Sequence, residues 1–122
     1  NSIMKELYRI CKHQASITII VPHPRHDDFL ADPTHVRPIT VLGLQLYDKK
    51  LNEQWQTQNA ANTPLALIHN VNFIIKHVRY YFEDKYCKML KAQTIHQQEL
   101  IEMTSKFNNV IKQMSIQLEV IK

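Results

Sequence analysis

The sequence predicts a mainly α protein: a long C-terminal heptad-patterned helix or helical hairpin, of the coiled-coil or helical-bundle kind, with a small N-terminal α+β portion containing a two-stranded antiparallel pair. Three observations predict it. After Pro64 the chain carries no glycine or proline up to Lys122. Over that stretch apolar residues recur at spacings of three and four, the signature of one helical face. Ahead of it, two β-rich runs flank a connection dense in proline and histidine.

The first element is "SIMKELYRICKHQ", where Ile3, Leu7, Ile10 and Cys11 fall at helical spacing and Ser2 is available as an N-cap. "SITIIVP", Ser16 to Pro22, follows as a buried strand, rich in β-branched residues and closed by a proline that cannot continue a ladder. From Pro22 to Pro38 come four prolines, three histidines and three aspartates in seventeen residues, a long irregular connection. Phe29 and Leu30 are expected to pin its middle to the core. "ITVLGLQLYD" fits either period; its Ile-Thr-Val start and Gly43 favour a strand, the second of the antiparallel pair. "KKLNEQWQTQ" then forms a short helix with Leu51 and Trp55 on one face.

Domain organisation divides accordingly, with residues 1–62 the α+β portion, including the Pro/His-rich loop 22–38, and residues 63–122 the long helix or hairpin. Thr63 and Pro64 suit its N-cap and first position. Its seam runs Ile68, Val71, Ile75, Val78, Phe82, Tyr86, Met89, Gln93, His96, Leu100, Met103, Phe107, Val110, Met114, Gln117 and Ile121, apolar at all but Gln93, His96 and Gln117. The step of four then four through Val78, Phe82 and Tyr86 reads as a stutter. A break near residue 93 is signalled by the capping-box pattern from Thr94 to Gln97. Unbroken, the helix would reach about 85 to 90 Å at the usual rise per residue, so it projects as a stalk or folds back.

Composition narrows the classes. At 122 residues and 44% hydrophobic content the chain suits one domain with a core of its own. A single glycine, Gly43, excludes glycine-rich phosphate loops and disfavours a many-stranded sandwich. Cys11 and Cys87 form no C-x-x-C pair and read as buried free thiols. No apolar run approaches the roughly 18 residues of a membrane span and no secretory signal is visible, so an intracellular protein of cytoplasm or nucleus is expected, not a secreted one. The absence of an initiating methionine points to a piece of a longer chain.

The net charge of +4 is uneven: residues 63–92 hold five Lys/Arg against two Asp/Glu, while the flanking segments are nearly balanced. Lys76, Arg79, Lys85, Lys88 and Lys91 therefore form a possible contact for nucleic acid or an acidic partner, although charged stripes opposite a seam are usually just solvated.

"PHPRHDD", Pro22 to Asp28, is the other chemical candidate. His23, His26, Asp27 and Asp28, with His35, are zinc-ligand types, but Pro24 excludes the helical spacing that makes such a pattern specific. The plainer expectation is a polar loop with aspartates capping turns, Arg25 pairing with Asp27 or Asp28, and histidines exposed. No catalytic, cofactor or metal residue is assigned. The expected function is a non-catalytic protein–protein interaction or oligomerisation module, a scaffold subunit binding itself or a partner helix through Ile68, Val71, Ile75, Val78, Phe82, Tyr86, Met89, Leu100, Met103, Phe107, Val110, Met114 and Ile121. Each such side chain, fully buried, is worth about 1.5 to 3 kcal/mol in transfer terms.

Overall fold

The computed structural model describes residues 2–122, which form α1 (Ser2–Ile10), β1 (Ser16–Pro22), α2 (Asp27–Leu30), α3 (Val41–Gln45), α4 (Lys49–Thr57), α5 (Leu65–His69), β2 (Phe73–Phe82), α6 (Asp84–Lys91), α7 (Gln97–Lys106) and β3 (Ile111–Val120). Helix accounts for 41% of the chain and strand for 22%. The mainly α expectation is therefore corrected. There is no long C-terminal helix, and neither a coiled coil nor a helical bundle forms; the protein is a small α+β chain of short helices and one three-stranded antiparallel sheet.

β3 lies between β1 and β2. At one end of β1 the Gln14 N–H donates to the Val120 carbonyl, and at the other the His23 N–H donates to the Lys112 carbonyl, so the two strands run in opposite directions. The Ile121 N–H on Asn72 and the Glu83 N–H on Val110 set β2 antiparallel to β3 in the same way. Among the described residues both outer strands thus pair only with β3, and two of the three strands come from the region expected to be a long helix or helical hairpin.

That region satisfies a helical period by accident of composition. β2 reads "FIIKHVRYYF", so nearly any spacing finds an apolar residue in it; Ile75 and Val78, three apart, lie on opposite faces of a strand. From Gln113 onward β3 alternates strictly, with Met114, Ile116, Leu118 and Val120 buried and Gln113, Ser115, Gln117 and Glu119 only half-buried between them.

Helix ends were also unreadable from glycine, because this chain turns on other residues. Gln14, Asn59, Asn70, Gln93 and Asn109 all take left-handed φ values, between 51° and 64°. Asn70 ends α5 after five residues. Gln93 ends α6 in a Schellman arrangement: its N–H donates to Leu90 and the Thr94 N–H to Met89. The Thr94 hydroxyl donates back to the Met89 carbonyl, and His96, not Thr94, is the N-cap of α7.

The expected strand at Ile39–Asp48 is instead α3. Thr40 caps it, its hydroxyl accepting the Gly43 N–H at 2.9 Å. A Cβ on Gly43 would stand 2.9 Å from that hydroxyl oxygen, so the one glycine serves a close approach inside a helix. β1 therefore pairs with β3 and not with the segment after the loop.

The chain divides into two units, one comprising residues up to Ile19 with Thr40–Val78 and Ile116–Lys122, the other Ile20–Ile39 with Arg79–Ser115. In the first unit Met4, Leu44, Tyr47, Phe73, Ile116 and Leu118 are buried. Tyr8 meets Phe73 edge-on with ring centroids 5.6 Å apart, and its hydroxyl donates to the Ile121 carbonyl. Asn52, 1% exposed, donates to the Leu46 carbonyl and accepts the Ala66 N–H, tying α4 to the start of α5. In the second unit Tyr86, Ile95, Leu100 and Val110 form a core cluster, with Phe82, Met89, Leu90 and Met103 packed against it.

Candidate interaction surface

The histidine-rich stretch is a structural clasp. His26 is 5% exposed, not solvated as expected, and is the N-cap of the one-turn helix α2. Its Nδ1 accepts the Asp28 N–H at 3.0 Å, which leaves Nε2 as the donor to the Glu83 carboxylate. Both ring nitrogens are thereby committed, and neither keeps a lone pair for a metal or a substrate proton. Arg25 pairs with neither aspartate; its Nη1 donates to the Ser105 carbonyl at 3.0 Å, at the C-terminal end of α7, where backbone oxygens lack helical partners. Asn109 completes the clasp, accepting the Asp27 N–H through Oδ1 and donating its own N–H to the Arg25 carbonyl.

His23 accepts the Arg25 N–H at Nδ1. Partial burial, and then the nearby charges of Arg25 and His26, hold its pKa below the ordinary histidine value. Further along, the Thr34 hydroxyl donates to Asp32 and holds that carboxyl below its usual range, and His35 stacks on Phe29 with ring centroids 5.5 Å apart. Leu30, expected in the core, is exposed. Among the described residues no group of three or more His, Cys, Asp or Glu is arranged to hold a metal ion.

β1 presents a different kind of feature. Its register with β3 points the backbone groups of alternate residues from Ala15 to His23 inward, so those of Ser16, Thr18 and Ile20 point away from the sheet. These have no other backbone partner among the described residues. All three side chains are exposed, and the Gln117 amide donates to the Ser16 hydroxyl across the open face. The expected buried strand is thus an edge strand, half-buried on one face. No charged residue stands between Ala15 and Val21, and the only proline is at its end. Exposed edges are ordinarily guarded by lysine, an internal proline or a bulge, because unpaired N–H and C=O groups template the addition of another strand.

In the second unit a recess of about 470 Å³ is lined by Ile20, Val21, Pro22, Phe29, Val36 and Ile39, with Thr34, His35 and Arg37 completing its wall. Val36 is 82% exposed and Ile20 61%. Arg37 has no hydrogen-bond or ion-pair partner among the described residues. A larger recess of about 770 Å³ lies in the first unit beside α1; there Arg9 is paired with Glu6, Lys122 sits over the Tyr8 ring and reaches the Arg9 carbonyl, and Lys5 is exposed on the wall.

The residues assigned to a single seam are dispersed. Val71, Tyr86, Leu100, Val110 and Met114 are buried, while Phe82, Met89 and Met103 pack against the second unit's core cluster. Ile75 and Val78 are half-buried on β2, Ile121 is half-buried just beyond β3, and Ile68 and Phe107 are exposed on α5 and at the end of α7. Of the basic set, Lys76 and Arg79 lie three apart on β2 and so face opposite ways, whereas Lys85, Lys88 and Lys91 are all exposed on α6. Arg79 lies over the Tyr81 ring, 4.9 Å from its centroid.

Comparison with protein-family models, with curated proteins and with solved structures gives no match to this chain. No described helix is long and apolar enough to cross a membrane. The surface residues that sequence reasoning missed are Thr18, Ile20, Val36 and Arg37. The signal for the first two was present as an uncharged β-branched run, but whether such a run is central or at an edge depends on pairing.

Proposed function

We propose that this chain is a non-catalytic protein–protein interaction module that accepts an extended strand, from a second copy or another subunit, on the outer edge of β1. The observation that carries the reading is the unpaired, uncharged backbone edge at Ser16, Thr18 and Ile20. Each backbone bond made there adds about 0.5 to 1.5 kcal/mol net, and the N–H and C=O of three residues act together. Its non-catalytic character is supported by the engagement of both His26 nitrogens.

Sedimentation across concentration, joined to binding of an extended Thr/Val peptide, tests this. Self-association or peptide binding is expected, and Thr18→Lys, which guards the edge without touching a bond to β3, abolishes it with circular dichroism unchanged. A chain that stays monomeric and binds no such peptide ends the reading.

A second reading, contact with nucleic acid or an acidic partner, has the exposed Lys85, Lys88 and Lys91 of α6 in its favour. It requires oligonucleotide binding that weakens steeply with salt and is lost in Lys88→Glu. Salt-independent binding removes it.

A further inference from the structure

We infer that the recess beside Ile20 selects the incoming strand: it takes an extended peptide that carries a bulky apolar side chain next to a carboxylate. This rests on the edge reading and names the partner's chemistry. The recess wall is apolar along Ile20, Val21, Pro22, Val36 and Ile39, with Phe29 stacked under His35. Its volume of about 470 Å³ admits one large side chain. Exposed apolar surface of this kind gains most when another apolar group covers it.

Charge chooses the neighbour. His35 is engaged, with Nδ1 at the Phe29 carbonyl and Nε2 toward Asp32, so its imidazole is not the anion receptor. Arg37 is the unpaired cation on this wall, and its planar fork matches a carboxylate. Ile20 supplies the last outward N–H and C=O before Pro22, which has no N–H and ends the ladder. A strand that pairs with Ile20 therefore has its side chains beside the recess that Ile20 itself lines.

Direction follows from the geometry of pairing. β1 runs toward the recess from Ser16 to Pro22, and antiparallel addition, the more stable per residue, brings the first residues of the incoming strand to the Pro22 end. The recognised segment thus begins with an acidic residue and a bulky apolar one and continues as β-formers.

The test uses an acetylated peptide of sequence Asp-Leu-Thr-Val-Thr-Val with a fluorophore at its far end, titrated against the whole chain by fluorescence anisotropy. Replacing the peptide's Leu by Ala should weaken binding about tenfold, and replacing its Asp by Lys by a similar factor. Arg37→Glu should reverse the second preference, so that the Lys peptide binds better than the Asp peptide, while the preference for Leu persists. Equal affinities for all peptides, still abolished by Thr18→Lys, overturn the selection and leave the edge reading intact. Failure of every peptide to bind a monomeric chain overturns both.

Discussion

β3 and β1 are neighbours in one sheet and have opposite fates. β3 is paired on both sides, and its Met114, Ile116, Leu118 and Val120 are buried. β1 is the more β-branched, with five such residues in seven against three in ten, but is paired on one side only; its inward residues reach half-burial and Ile20 remains 61% exposed. Composition makes a strand, and position in the sheet decides whether it holds the fold together or is left to bind. The central strand spends its backbone and side chains on stability, and the edge strand keeps both available.

The comparison breaks first under truncation. Ile116→Ala should cost about 2 to 5 kcal/mol, as expected for a fully buried aliphatic side chain, whereas Ile20→Ala should stay within about 0.5 kcal/mol. Urea unfolding of dilute protein reads both; comparable losses would mean that Ile20 is already covered in solution. A smaller effect separates the strands by pH. His23 extends the β1 ladder onto Lys112, and its folded pKa lies below the unfolded one, so the folded state binds fewer protons there. Its contribution is undiminished above the ordinary histidine value and declines as pH falls through that value toward the depressed one. His23→Gln should therefore narrow the stability loss between neutral and mildly acidic pH, measured by thermal melts. An unchanged pH profile would show that His23 does not titrate across unfolding.

Local signals were legible where they sufficed. α1, β1 and α4 stand where helical spacing and β-branching put them; the cap of α4, Asp48 accepting the Leu51 N–H, was instead counted with the strand expected before it. The C-terminal half was not legible by period because aromatic and aliphatic residues crowd β2, although the strict alternation from Met114 to Val120 pointed to a strand. The helix end near Gln93 was signalled by the capping-box pattern, whereas the one at Asn70 escaped notice because Asn70 does what glycine usually does. Of the candidate surface, the strand itself could be read, but its exposure could not, since edge position follows from long-range pairing. The histidine loop was read as a polar loop with exposed histidines; His26 is instead buried, its nitrogens engaged by Asp28 and Glu83, and His23 accepts the Arg25 N–H, partnerships that residue type alone does not disclose.

The order of the strands also sets a timetable for synthesis. β1 and β2 each pair with β3 alone, so neither gains a partner until residues 111–120 have left the ribosome, about five or more seconds after β1 at typical elongation rates. During that interval both strands are without their sheet. The uncharged β1 run is then open along both margins, and a nascent chain of this topology has its greatest need of a chaperone before β3 emerges.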